Sequence, residues 1–260
     1  MKLTFLGTGA ADWTEEDWNQ SEGFFRYLTS ALVDDDLLID CGPTVFSAAE
    51  KYGVSLGGVR YVLSTHLHRD HYHAPTLSAL AEKQGVRYCS TKENASAPVI
   101  PSNVETISLP LYEKVQVGDY TITATPASHL VRSDYPNQAA HYVIEKAGQT
   151  IFWGCDGCWL SCEAWNYLRY LHFDAAIFDA TFNDDEGRQE LFEHNSIYMV
   201  EQLVKIWRSG NVLSENGLVI ANHIAKNVNY SHEVLLSRLT PQNIMVAYDG
   251  MTVVVPHTVD

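Results

Sequence analysis

The sequence predicts an α/β fold of layered sheets flanked by helices. Strand-like apolar runs recur from end to end with helical stretches interspersed among them, and most of these segments stop at a glycine or an acidic turn. The chain has 260 residues, 46% of them hydrophobic, which suits one domain spanning 1–260 with an ample core. Taken in order, "KLTFLG" reads as a strand ending at a glycine turn. "SALVDDDLLIDCG" reads as two strands joined by the acidic turn Asp34 to Asp36. "PTVFSAAEKYG" (43–53) has Pro43 at a first helical position and Gly53 just past the end, the punctuation of a helix. "VRYVLSTH" is a strand, and "APTLSALAEKQG" a helix closed by Gly85. Short strands are expected around Tyr88, Val99 and Ile107. The paired runs "YTITATPASH" and "AAHYVIEKAGQTIFWGCD" follow, with "AGQ" (147–149) as a hairpin tip. Helices are expected over "CWLSCEAWNYLRYLH" and "NSIYMVEQLVKIWRSG", separated by the strand "DAAIFDAT". "GLVIANH" and "IMVAYDGMTVVV" close the chain as strands.

Charge narrows the classes of partner. With 17 Lys+Arg against 32 Asp+Glu the formal net charge is -15, which repels polyanions and disfavours nucleic acid, although bound cations would offset this locally. No apolar run reaches the roughly 18 residues of a membrane span, and the N-terminus reads as neither an export signal nor an anchor. The expectation is a soluble cytoplasmic protein. Five cysteines, an odd number, do not look like a disulfide framework and fit a reducing compartment.

The chemistry concentrates in "STHLHRDHYH" (64–73), where four imidazoles and a carboxylate follow the buried run Val62-Leu63. Such groups are costly to bury and repel one another once protonated. His66, His68, Asp70 and His71 form the pattern H-x-H-x-D-H, and a strand running into a tight turn can aim alternate side chains at one point. Imidazole nitrogen and carboxylate oxygen are ligands for a divalent first-row cation, whose charge replaces the lost water. Further candidates stand at other strand ends: His129 after "TITATPAS", Asp156 after "TIFWGC", and His223 after "LVIAN". Each alone would more often be a capping or hydrogen-bonded residue; together they complete the donor set for two metal ions.

This order and spacing, with "LLIDCG" and its Asp40 ahead of the histidine motif, resemble the metallo-β-lactamase superfamily from "FLGTGA" to "ANHIAKN". The resemblance implies a four-layered αββα sandwich with its site at one edge. It also implies a first metal on His66, His68 and His129, a second on Asp70, His71 and His223, and Asp156 bridging them. The expected reaction is hydrolysis by a hydroxide shared between the cations. Zinc is the first choice, with manganese, iron or nickel as alternatives. Asp40 either supports the ligand loop from behind or merely forms a strand-end turn. His68, where the oxygen-reducing branch has a glutamate, disfavours redox chemistry.

"FDATF" (178–182) and "EHNS" (193–196) resemble motifs of the phosphodiesterase branch, which includes tRNase Z and the cyclic phosphodiesterase of phosphonate breakdown. The resemblance implies His194 as general acid or phosphate clamp, oriented by Asp179; Asp70 is counted with them as catalytic. The alternative reading, compatible with the first, makes His194 the residue leading into a helix capped by Asn195 or Ser196, whose free amides would suit an anionic oxygen. The expected substrate is a small or cyclic phosphate ester. The alternatives are a thioester or lactone hydrolase of the same superfamily and a metal-bound sensor or scaffold without turnover. tRNA is disfavoured, because no Gly- and Lys/Arg-rich insertion lies between Asp156 and His194. Homodimers are common among relatives, so a homodimer is an expected form.

Other features absorb less chemistry. The N-terminal loop carries Trp13, Trp18, Phe24 and Phe25 among acidic residues and either shapes a pocket or packs on itself. Cys155, Cys158 and Cys162 read as small buried thiols, the last two sharing a helix face with Trp159 and Trp165. His73 is surplus to two metals. Arg26 and Arg132 read as surface arginines rather than phosphate contacts.

Overall fold

A computed structural model describes residues 1–19, 24–185 and 192–257. The apolar alternation closes into two seven-stranded sheets. The first takes β1 (Lys2–Gly7), β2 (Ser30–Val33), β3 (Leu37–Ile39), β4 (Tyr61–Leu63), β5 (Arg87–Ser90), β6 (Glu105–Ser108) and the C-terminal strand β14 (Thr252–Val254), in the order β14-β1-β2-β3-β4-β5-β6. The second takes β7 (Lys114–Val117), β8 (Tyr120–Pro126), β9 (Ala140–Lys146), β10 (Gln149–Gly154), β11 (Phe173–Asp179), β12 (Leu213–Asn222) and β13 (Met245–Val246), in the order β13-β12-β11-β10-β9-β8-β7.

Strands β1 to β3 pair antiparallel, β1 reaching β2 through the long N-terminal loop and β2 reaching β3 through a short turn, whereas β3 to β6 run parallel and need crossovers. Those crossovers carry α2 (Val45–Lys51), α3 (Ala74–Gln84) and α4 (Lys92–Ala95); a shorter α1 (Glu15–Trp18) lies in the N-terminal loop. Sheet two repeats the plan. Strands β7 to β10 form an antiparallel meander, and β10 to β13 run parallel across α5 (Cys162–Leu168), α6 (Ile197–Ser209) and α7 (His232–Leu239).

Period-two patterning makes the layers. Leu3 and Phe5 of β1 meet Tyr120 and Ile122 of β8, Tyr142 of β9 and Trp153 of β10 between the sheets. Alternate residues point outward: Leu32, Leu38, Val62 and Tyr88 pack under α2 and α3, while Phe152, Phe178 and Val219 pack under α5 to α7. The Trp207 ring of α6 sits 5.0 Å from Phe152 and 5.1 Å from Phe173. The result is the expected αββα sandwich. Among the described residues no helix is long and apolar enough to cross a membrane.

Several expectations need correction. Val99 lies in a turn, not a strand; Pro98 and Pro101 flank it and cannot donate to a ladder. The helix expected over 158–172 is only α5, which starts after Ser161, whose side chain accepts from Ala164 N at 3.1 Å. Cys158 and Cys162 therefore share no helix face, and Cys162 is exposed while Cys155 and Cys158 are buried. Helix α2 begins at Val45 rather than Pro43. The terminal run "IMVAYDGMTVVV" splits between the two sheets as β13 and β14. Helix α7, capped by Ser231, was not anticipated.

Candidate metal centre

Every functional candidate except His194, which precedes α6, sits just past or at the end of a strand. His66, His68, Asp70 and His71 follow β4, His129 follows β8, Asp156 follows β10, Asp179 ends β11 and His223 follows β12. Parallel strands end at a common edge, so their terminal loops converge whatever their separation in sequence. Local backbone choices sharpen the aim. Asp40 and His223, immediately past β3 and β12, adopt φ of 58°, turning each side chain inward where an extended residue would continue the strand. Gly42 is required by a close approach: a Cβ there would lie 2.2 Å from Asp70 O, where the loop after β3 runs beside the histidine loop. Hydrogen bonds from Cys41 N to His71 O and from His73 N to Cys41 O join those loops.

The structure brings the seven candidate ligands together in two adjoining groups. His68 Nδ1 lies 3.0 Å from His66 Nε2 and 3.0 Å from His129 Nε2. Around His71 Nε2 stand Asp156 Oδ2 at 3.1 Å, Asp70 Oδ2 at 3.2 Å and His223 Nε2 at 3.2 Å. Asp156 faces both groups, with Oδ2 at 3.9 Å from His66 Nε2 and 4.0 Å from His129 Nε2. Its Oδ1 is buried without a hydrogen-bond partner, since the 3.1 Å approach to His223 Nε2 lacks hydrogen-bond geometry.

The donor set fits two divalent cations. Three nitrogens sharing a tetrahedral ion at about 2.05 Å stand about 3.3 Å apart, near the spacing observed. The outer nitrogens agree. His71 Nδ1 donates to Asp40 Oδ2 at 2.7 Å, His66 Nδ1 to Thr65 Oγ1 at 2.9 Å, His129 Nδ1 to Glu193 O at 3.2 Å and His223 Nδ1 to Thr181 Oγ1 at 2.8 Å. Each of those four rings, when neutral, thereby turns a lone pair on Nε2 inward, the tautomer a cation requires.

Electrostatics of the bare cluster tell the same story. Burial pushes His66 well below its ordinary pKa and His129 down to about 4, holding both rings neutral. Burial would do likewise to His71, but Asp156, Asp70 and Asp40 outweigh it and raise the ring well above the usual range. Burial would raise Asp70 and Asp156, but neighbouring imidazolium charge holds both well below the carboxylate norm.

His194 and Asp179 are also brought to the site. His194 Nδ1 lies 2.7 Å from Asp179 Oδ2, and its ring sits 4.8 Å from His129 and 5.3 Å from His223. Burial alone would lower His194, but Asp179 overrides it and raises the pKa to about 9. Asp179 is fully buried and accepts from Gly157 N, Thr181 N, Thr181 Oγ1 and Asn195 N, at 2.8–3.2 Å. His194 precedes α6, whose cap is Ser196, accepting from Met199 N at 3.3 Å. The amides of Asn195, Ser196 and Ile197 already bond Asp179, Met199 Sδ and Phe182 O, so they offer nothing to an anion.

Asp40 is more than a turn former, since it holds His71 and also accepts from Thr65 N at 2.8 Å. His73 points elsewhere, to Thr76 Oγ1 at 2.8 Å. Arg132 is exposed, but Arg26 is not: it is 1% exposed, bonding Thr8 Oγ1, Ala247 O and His232 Nδ1. Trp13 and Trp18 pack inward, their indoles donating to Ile224 O and Arg26 O. Part of that loop, residues 20–23, lies outside the described residues.

Three contributors escaped sequence reasoning. Thr65 and Thr181 link ligand histidines to carboxylates, and their proximity in sequence to His66 and Asp179 was the available signal. His141, buried in β9, lies 2.9 Å from Asp156 O, and nothing in "AAHYVIEK" marks it. A cleft of about 470 Å³ opens onto the cluster, lined by His68, Asp70, His129, Asp156, His194 and His223 among others.

Comparison with known proteins accords with this architecture. Residues 36–220 match the model of the β-lactamase superfamily domain, a span that ends before His223. No curated protein matches the chain in sequence. The Zn²⁺-bound PqqB from Methylobacterium extorquens superposes with a TM-score of 0.75 at 18% identity, covering 98% of this chain and 100% of that one. A diphosphatase from the PhnP family gives 0.71 at 17% identity, covering 97% and 96%. Human tRNase Z, short form, gives 0.66 at 18% identity, covering 98% and 100%. With two facing sheets, a His/Asp cluster at their edge and a family match over most of its length, the chain belongs to the β-lactamase superfamily and has the metallo-β-lactamase fold.

Proposed function

We propose that the chain is a dinuclear metal-dependent hydrolase acting on a small or cyclic phosphodiester. The observation that carries this reading is the His194–Asp179 pair, 2.7 Å apart, on the wall of the cleft beside the clustered ligands. His66, His68 and His129 would hold one cation, and Asp70, His71 and His223 the other, with Asp156 between them; zinc is the first choice, manganese, iron or nickel the alternatives. When bound, such ions lower the pKa of water and polarise the phosphoryl group. The rest falls to the protein. Cleaving a phosphodiester expels an alkoxide, which needs a proton. His194, whose pKa Asp179 raises through the bond to Nδ1, is placed to supply it. Asp179 fixes the Nδ1–H side of that ring, so the other nitrogen is the one offered to substrate. Asp70 adds a carboxylate at the cluster that helps orient the site. The PhnP-family diphosphatase and tRNase Z likenesses support the choice of phosphate esters.

The test compares a cyclic alkyl phosphodiester and bis(p-nitrophenyl) phosphate with a thioester panel, using protein of measured metal content. Two ions per chain are expected, with turnover of the cyclic alkyl phosphodiester, whose alkoxide needs a proton, falling about 10²- to 10⁴-fold in His194→Ala and that of bis(p-nitrophenyl) phosphate, whose phenolate leaves without one, falling much less. Thioester cleavage that exceeds phosphodiesterase activity and is untouched by the substitution would overturn the assignment in favour of a thioester hydrolase. No hydrolysis of any ester by the metal-loaded protein would favour a sensor.

A further inference from the structure

Beside the metal cleft is a second hollow of about 480 Å³, lined by Cys158, Trp159, Phe192, Ser196, Tyr198 and Met199, with Asp184 and Asp185 at its edge. Three of these side chains are large, hydrophobic and left in the open: Phe192 is 83% exposed, Tyr198 54% and Trp159 40%. Burial of such rings is worth so much that a cluster of exposed ones on one concavity marks a binding surface.

The platform is wired to the chemistry. Trp159 N donates to Asn195 Oδ1 at 2.8 Å, and Asn195 is itself fastened to Asp179 through its backbone and side-chain amides, each at 3.2 Å. Cys158 N donates to Ser128 O at 3.3 Å, one residue before His129. The 158–159 segment is thus pinned between the loop carrying His129 and the loop carrying His194. The same 192–196 stretch walls both spaces, with Glu193 and His194 facing the metal cleft and Phe192 and Ser196 facing the hollow. Trp159 also has φ of 38°, a left-handed conformation that costs a bulky residue energy, and holds its side chain only partly covered at the hollow.

We propose that this hollow is a substrate subsite that stacks a planar aromatic group, uncharged or cationic, on Trp159, Tyr198 and Phe192 while the ester is attacked at the metal centre. It rests on the phosphodiester reading only for what the ring is attached to. The hollow has room for one ring system rather than a polymer. The chain's formal net charge of -15, together with Asp184 and Asp185 at the edge, the first of them paired with Arg238, disfavours an aromatic group bearing its own negative charge. The ring belongs either to an aryl ester or to a nucleobase.

Binding to the metal-loaded protein is measured by saturation-transfer NMR with p-nitrobenzyl alcohol and with adenosine, two uncharged probes that separate those sources, and with anionic 4-carboxybenzyl alcohol. At least one uncharged probe is expected to bind more tightly than the anionic one. Trp159→Ala and, independently, Tyr198→Ala should each weaken it about tenfold, the loss expected of one stacking contact, whereas Trp159→Phe retains it. The same alanine variants should raise KM for bis(p-nitrophenyl) phosphate more than they lower kcat, with metal content unchanged. Absence of binding by both uncharged probes, or equal binding by both alanine variants, overturns the subsite. So does a solution dimer that Trp159→Ala dissociates, which would make the surface a subunit interface. Probe binding without ester turnover would fault the hydrolase reading alone; turnover without probe binding would fault the subsite alone.

Discussion

At the level of single residues, what distinguishes the cluster from a crowd of polar groups is the control of each imidazole's outer nitrogen. His223 Nδ1–H donates to Thr181 Oγ1, whose own proton goes to Asp179 Oδ1 at 2.8 Å; the same carboxylate holds His194 through its other oxygen. One buried aspartate thus orients a ligand and the proposed acid together. Asp40 plays the equivalent part for His71. Replacing a carboxylate that braces a ligand histidine lowers metal affinity by about 10- to 100-fold, so Asp40→Asn should lose metal to a competing chelator that wild type resists, with turnover restored by excess metal. Metal retention equal to wild type would show that Asp40 only shapes the turn. The candidate ligands His66, His68, Asp70 and His71 were legible in the sequence because H-x-H-x-D-H is local, and His129, Asp156 and His223 because each follows an apolar strand-like run. Thr181, Thr65 and His141 were not, because a hydroxyl or a lone strand histidine acquires meaning only from what faces it.

Among elements, strand ends carry the site and the passage of one loop against another fixes it. Gly42 is the tightest point of that passage, its absent Cβ leaving room for Asp70 O. Gly42→Ala should therefore displace the Asp70–His71 loop, reduce metal occupancy and cost about 1–3 kcal/mol of stability, read as a shifted urea midpoint of the metal-free protein. Gly57→Ala, where an added Cβ meets Ser55 Oγ no closer than 3.5 Å, should stay within about 0.5 kcal/mol and is the control. Equal midpoints for the two variants would refute the steric account. The strands and the longer helices α3 and α6 were readable from periodicity and from caps such as Gly85 and Ser196. The stretch 158–172 was not, because Cys158, Cys162 and Trp165 recur at helical spacing although only Cys162–Leu168 is helical.

For the whole molecule, the C-terminal segment ties the sheets to each other. It leaves the second sheet at β13 and joins the first at β14, and between them Phe5 N donates to Met251 O at 2.9 Å and Gly250 N to Phe5 O at 2.7 Å. Asp249 sits in this clasp, accepting from Thr8 Oγ1 at 2.6 Å and Tyr27 N at 2.5 Å. Burial raises its pKa to about 6, only partly offset by Thr8, Tyr27 and Arg26. A carboxyl raised on folding stabilises the fold below its unfolded value of 3.8, and that contribution is lost as pH climbs through about 6. Asp249→Asn keeps an acceptor without the charge. Its stability relative to wild type should therefore improve by up to about 3 kcal/mol between pH 4 and pH 7, seen as a pH-dependent gap between urea midpoints. A gap that is constant with pH would exclude buried ionisation at this position. The amino-acid sequence alone determined the strand and helix alphabet, the metal-type donors and the acidic balance, because these depend on residue type and short spacing. Tertiary structure decided which distant donors stand together, which threonines orient them, that Arg26 is internal, and that Trp159 is partly exposed beside Asn195. Those outcomes depend on how parallel strands align their ends in space, and no local pattern encodes that alignment.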